Sequence, residues 1–160
     1  MKEDALPFEA ITGFSFVRQP ISVPPDLRSF RKITQLLLVL KLCSYGGRAS
    51  SLKLQLFNWA LGSADSMSRL RDFVETSQRE IRMDILHLDP AVNRAIEYAV
   101  AAGYMDVENN GKVKIASKGK ALIDRVLADD TLLSQERSYL TEVGRRVTEQ
   151  KLKQTIEGLF

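Results

Sequence analysis

The residues of this 160-residue chain that could do chemistry are few and scattered. His87 is the single histidine, a residue type suited to proton transfer or metal ligation. It stands between Leu86 and Leu88 at the end of an alternating segment, with no acid and nucleophile placed around it as a triad would need. It reads as structural or surface. Cys43, the one cysteine, follows Leu40 and Leu42 on an apolar stretch and reads as a reduced, buried thiol. No Cys/His cluster has metal-ligand spacing. Gly46-Gly47-Arg48 is glycine-rich but lacks the Gly-Lys-Ser/Thr ending and preceding strand of a phosphate loop. Asp129-Asp130 falls at a helix end, where solvent exposure is the ordinary outcome. No catalytic residue, cofactor-binding residue or metal ligand set is assigned, and no small-molecule substrate is expected. The pattern is that of a non-enzymatic binding protein.

Nucleic acid is the first binding class to test. Residues 89–129 read as helix, strand, tight turn, strand, helix. Asp89-Pro90 is a helix start, with aspartate at the N-cap and proline in the first turn. Ala95, Ile96, Ala99, Val100 and Ala102 form a small-residue packing face, and Gly103 stops the helix. Tyr104–Val107 is a strand. Asn109-Asn110-Gly111 supplies the positive-φ residues of a hairpin turn, and Val113 and Ile115 alternate on the return. Ser117 opens the next helix. A helix followed directly by a small hairpin is the centre of a winged-helix domain, a fold that serves both DNA binding and protein docking. The helix that would enter the major groove offers only Asn93, Arg94 and Glu97 as polar groups, which is poor equipment for reading base edges. The hairpin carries Lys112, Lys114, Lys118 and Lys120, opposed by Asp106 and Glu108. Arg94, Lys112, Lys114 and Lys118 are therefore candidates for weak, nonspecific DNA contact.

Other elements must hold this unit. Four prolines among residues 1–25 forbid a long helix there, while Phe8, Phe14, Phe16, Val17, Ile21 and Val23 are too apolar for a solvated tail. Residues 1–25 read as an extended arm, packed on its own domain or laid on a partner. Asp26 can cap a helix in which Leu27, Phe30, Ile33, Leu37 and Leu40 recur at helical spacing and Leu36 and Leu38 broaden the stripe, making it central. Gly46-Gly47 ends it. Ser50 or Ser51 caps a second helix carrying Leu52, Leu56, Phe57, Trp59 and Ala60 up to Gly62, and a third spans residues 65–78 with Leu70, Phe73 and Val74 inward. Residues 80–88 alternate as a strand and are predicted to pair with the hairpin in a three-stranded sheet. Two more helices are predicted at about 131–143 and 148–157. The expected fold is mainly α with a small β-sheet: an N-terminal arm (1–25), a winged-helix core (26–130) and a C-terminal helical extension (131–160).

Charge follows the same map. The chain has a net charge of +3 and a pI near 9.1, with 44% hydrophobic and 27% charged residues, ordinary for a globular domain. Residues 26–62 hold six bases (Arg28, Arg31, Lys32, Lys41, Arg48, Lys53) against Asp26 alone, whereas residues 91–130 hold six of each sign. The basic excess lies on the first two helices and not on the helix–hairpin unit. The longest apolar run, Leu36–Leu40, is too short to cross a bilayer, and the acidic start MKEDALPFEA has no signal-peptide core. Cytoplasmic placement without membrane contact is expected.

The run Gly46–Leu61, GGRASSLKLQLFNWAL, the run Asp89–Ala95, DPAVNRA, and the segment from Gly111-Lys112 to Lys118-Gly119 and Leu122 occur in order over residues 26–150. Together they resemble the middle component of bacterial ABC three-component systems, the group that includes Lamassu-type anti-phage and anti-plasmid defence. The resemblance implies a non-enzymatic subunit whose partners are an SMC-like ABC ATPase with a long coiled coil and an effector, often a nuclease. DNA would then be met nonspecifically, through the complex. In physical terms Asn58 and Trp59 could anchor an interface, as could Phe14, Phe16 and Val17 of the arm. At the C-terminal end Leu140, Val143, Val147, Leu152, Ile156, Leu159 and Phe160 are expected to leave apolar surface for a partner, with Leu159 and Phe160 the candidates.

Overall fold

The computed structural model describes residues 29–76 and 88–157. Helix α1 (Ser29–Leu42) is followed by a 3₁₀ turn (Tyr45–Gly47), strand β1 (Arg48–Ala49), α2 (Ser51–Ala60) and α3 (Ala64–Thr76). Then come α4 (Pro90–Ala101), β2 (Met105–Val107), β3 (Val113–Ile115), α5 (Ser117–Ala128), α6 (Ser134–Val143), a 3₁₀ turn (Gly144–Arg146) and α7 (Glu149–Glu157). The described residues are mainly helical with one small antiparallel sheet, as expected.

Helix α1 is buried on nearly every side. Ile33 and the unbroken run from Leu36 to Leu40 are each at most 6% exposed, which fits a helix that packs against α2, α4, α5 and α6 at once. Phe30, expected on its buried stripe, is instead 61% exposed, ahead of the first buried residue of α1, Lys32. Helix starts follow the sequence. Ser50 Oγ accepts the N–H of Lys53 at the head of α2, and Asp89 Oδ1 accepts that of Ala91 at the head of α4. Gly103, at φ +80°, ends α4, leaving Ala102 as its exposed C-cap outside the packing face. Ser117 is the first residue of α5, whose N-cap, Ala116, makes no side-chain bond.

The sheet has the order β1-β3-β2. Met105 pairs with Ile115 and Val107 with Val113 across the hairpin, while Arg48 pairs with Lys114 and Ala49 with Val113 on the other side of β3. The third strand is thus Arg48–Ala49, beside the hairpin where residues 80–88 were expected; residues 80–87 lie outside those described. The hairpin turn also differs in detail. Only Gly111 has positive φ, at +78°; Asn109 and Asn110 do not. Gly111 N–H donates to Glu108 O and Glu108 N–H to Lys112 O, both at 2.8 Å. This is a type I turn closed by a left-handed glycine, for which one glycine suffices. Asn110 contributes through its side chain, Oδ1 accepting Lys112 N–H at 2.9 Å.

One hydrophobic core unites these elements, and it includes Tyr139, Leu140, Val143, Val147 and Leu152. The expectation that Leu140, Val143, Val147 and Leu152 form an apolar docking surface is therefore overturned: each is at most 2% exposed, taken up by the core beside α1. The side chain of Ile156, and Leu159 and Phe160, lie outside the described residues. Two glycines allow close approach. A Cβ on Gly144 would collide with the Cys43 sulfur, and one on Gly119 with the Tyr104 carbonyl oxygen. That carbonyl is fixed by accepting Ala116 N–H at 3.0 Å.

Gly119→Ala gives a test whose sign is diagnostic. In an uncrowded helix the change would stabilise by about 1 kcal/mol through propensity. Here the methyl has a fixed carbonyl in its way, so the variant is expected to lose about 2 kcal/mol through overpacking. An unchanged or raised urea midpoint would disprove the close contact of α5 with the end of α4.

Candidate functional site

The most ordered polar arrangement joins α1, α2 and the head of α4. Lys32 projects from the first turn of α1 and is only 9% exposed. Its Nζ donates to Asn58 Oδ1 and to Asp89 Oδ2, each at 2.9 Å. Asn58 Nδ2 also donates to Asp89 Oδ2, at 3.3 Å. Gln55, 4% exposed, grips the backbone of the same aspartate: its Oε1 accepts Asp89 N–H at 2.9 Å and its Nε2 donates to Asp89 O at 3.2 Å. The Gln55 Nε2 reaches Asn93 Oδ1 as well, at 3.2 Å. Burial pushes the Asp89 carboxyl upward, but the Lys32 ammonium, the Ala91 N–H and the Asn58 amide outweigh it and hold the group below its ordinary range.

A pocket of about 410 Å³ opens beside this knot, within the size range of small-ligand sites. Lys32, Gln35, Asn58, Trp59 and Asp89 line it, with Leu61–Ser63 from the α2–α3 turn and Ser66 from the first turn of α3. Trp59 is partly buried against the core and forms one wall, with the Arg69 guanidinium 5.6 Å from its ring centroid. It is neither a fully buried core residue nor a free anchor. Asn58, offered as an interface residue, has its amide engaged within the fold on both Lys32 and Asp89.

The candidate DNA contacts sit elsewhere. Arg94 is exposed on α4, in the same outward stretch as exposed Glu97 and Tyr98. Lys114 lies in a row across the outer face of the sheet between Arg48 and Asp106, and Lys112 follows the turn, half-exposed. Arg48 is 3.5 Å from Glu108 Oε1. The outer face thus carries two bases followed by one acid in this row. Lys118 is used within the fold. Its Nζ donates to Ala102 O at 2.7 Å and stands 4.6 Å from the Tyr104 ring centroid, closing the C-terminal end of α4. The structure brings Lys112 and Lys114 together on one hairpin and places Asn58 with Trp59 at the pocket. Phe14, Phe16, Val17, His87, Leu159 and Phe160 lie outside the described residues.

Of the six bases in residues 26–62, Arg28 lies outside the described residues, and four of the other five meet an acid. Arg31 meets Glu136 at 2.8 Å, Lys32 meets Asp89, Lys41 meets Asp124 at 3.1 Å and Arg48 meets Glu108. Lys53, 4% exposed, donates to Cys43 O. Burial lowers its pKa, and the nearby Glu149 pulls it back up. Glu149 Oε1 in turn accepts Ser50 N–H at 2.8 Å, so α7 caps α2 from a distance. Burial pushes the Cys43 thiol up to about 12, against the opposing charges of Lys53 and Arg145, and the thiol stays protonated. Sequence reasoning counted Lys32 among surface bases and missed its role. The available signal was a lysine one helical turn before Leu36, at the edge of the apolar stripe.

No protein-family model matches this chain, and neither does any curated protein or solved structure. Among the described residues no group of three or more His, Cys, Asp or Glu side chains could hold a metal ion, and no helix is long and apolar enough to cross a membrane.

Asp89→Asn keeps an N-cap oxygen but removes the ion pair. Because Asp89 is partly exposed, the expected cost near neutral pH is about 1 kcal/mol, below that of a fully buried charged hydrogen bond. The depressed carboxyl of the folded state contributes stability above the unfolded pKa of about 3.9, and that contribution is lost as pH falls through the folded value. Urea titrations across acid pH should therefore show the gap between wild type and Asp89→Asn closing below about pH 4. A gap of constant size would rule out the Lys32–Asp89 pair as a source of stability.

Proposed function

We propose that the chain is a winged-helix scaffold acting as a non-enzymatic bridging subunit between an SMC-like ABC ATPase and an effector, in the manner of the defence systems it resembles. The winged-helix reading is supported by the order of elements: α1, β1 and α2 precede α4, which runs directly into the β2–β3 hairpin, and β1 completes the sheet in the order β1-β3-β2. The observation that carries the docking role is the outward face of α4. One arginine, Arg94, is offset by Glu97, and Tyr98 is 57% exposed beside exposed Ala101. Such a face lacks the side chains that read bases and offers an aromatic of the kind enriched at protein interfaces. The partly exposed Trp59 beside its pocket adds a second contact point of that kind.

The second reading, a winged-helix transcription regulator, is favoured by Lys112 and Lys114 on the hairpin next to α4. It requires sequence-dependent DNA binding that falls on Arg94→Ala and Lys112→Ala with folding unaltered. The bridging reading requires assembly instead. On this reading a flanking gene encodes an ATPase with a long coiled coil and another the effector, and co-expression with both is expected to yield a co-purifying complex. Failure of the three to co-purify would sink this reading, and tight sequence-selective DNA binding by the isolated chain would replace it with the regulator.

A further inference from the structure

The exposed residues of α4 fall on one stripe. Pro90, Arg94, Glu97 and Ala101 are all exposed and recur at intervals of four, three and four, while Val92, Ala95, Ile96 and Ala99 occupy the buried side. That spacing is the seam of a two-helix coiled coil. Tyr98, 57% exposed, borders the seam on one flank. Asn93 borders it on the other, its Oδ1 accepting Gln55 Nε2 at 3.2 Å. Leu88, 63% exposed, stands just ahead of the Asp89 cap. Arg94 and Glu97 take part in no ion pair among the described residues. Base before acid along the helix is also the less favourable order for pairing with each other.

This stripe is complementary to itself. In a two-fold pair, every contact of one residue with another is repeated with the roles exchanged. Two copies of α4 laid antiparallel, with the seam centred between Ala95 and Ile96, bring each Arg94 beside Glu97 of the second copy. Pro90 then meets Ala101, and these short side chains let the helices approach. Both Tyr98 rings come to one flank of the seam, where they keep water from the ion pairs. A parallel pair would instead set Arg94 against Arg94 and Glu97 against Glu97, so charge selects the antiparallel arrangement. The DNA groove would hold Glu97 against phosphate, and an unrelated protein has no need of a pattern symmetric in both spacing and sign.

We propose that the outward face of α4 docks a second copy of this chain, as an antiparallel helix pair closed by reciprocal Arg94–Glu97 ion pairs and flanked by Tyr98. The proposal rests on reading this face as one that docks protein, and it names the occupant. The twelve residues of α4 give a seam about 18 Å long. Such a seam covers far less than the roughly 800 Å² per partner of a standard interface, so the dimer is of the weak, transient class.

Sedimentation velocity on the full chain, from about 20 μM to 1 mM, is expected to show a monomer–dimer equilibrium. Arg94→Glu and Glu97→Arg each set like charges across the two-fold axis and should weaken dimerisation at least about tenfold. Mixing these two variants, or combining both changes in one chain, restores opposite charges and should recover it. Tyr98→Ala should weaken it with the charges unaltered. All three side chains are exposed, and circular dichroism melts check that the fold is kept. A chain that stays monomeric over the whole range overturns the proposal. So does a dimer that both single charge variants leave intact, or one that neither the mixture nor the double variant recovers. The isolated chain is measured, so failure here leaves co-purification with an ATPase and an effector as a separate result.

Discussion

Everything described in this chain leans on one buried lysine. A lysine ammonium withdrawn from water carries a desolvation penalty of several kcal/mol, and only close, well-directed partners offset it. Lys32 finds them in Asn58 from α2 and Asp89 from the head of α4. Because the same Asp89 caps α4 through its other oxygen and is gripped on its backbone by Gln55, the requirement of one charge fixes three helices relative to each other. Apolar packing alone specifies this junction less tightly. Leucine faces accept small slides, whereas hydrogen bonds to a buried charge do not. The helix–hairpin unit built on α4 inherits its position from that knot.

The same logic runs through the rest of the charge distribution. Arg31, Lys41 and Arg48 each reach an acid distant in sequence: Glu136, Asp124 and Glu108. The exposed members of this set add little stability one by one. Their joint effect is on local charge, because a segment that counts as strongly basic in sequence meets acids from other segments at four of its described bases. Charge counted along a chain overstates a patch whenever the partners come from other segments, and here they come from the β2–β3 hairpin, α5 and α6.

How much of this was legible follows from the range of each interaction. Local signals read correctly. Ser50, the Asp89-Pro90 start, the Gly103 stop and the alternation of Val113 and Ile115 depend on neighbours within a few residues. The two-residue β1 was illegible because no periodicity exists in two residues; its pairing is decided by Lys114 and Val113, more than sixty positions away. The C-terminal leucines and valines were visible as apolar but not as buried, since amphipathic spacing does not name what covers it. Asn58 is the instructive case at the candidate site. Its neighbour Trp59 suggested an interface, yet a carboxamide presents a donor and an acceptor, and a buried Lys–Asp pair needs both.

The distribution of order bears on function as well. A protein that reads bases places its most constrained side chains at the groove, held rigid by packing. In this chain the best-partnered polar side chains, Lys32, Gln55, Asn58 and Asp89, bond to one another, and the outward faces of α4 and the sheet carry charges of both signs.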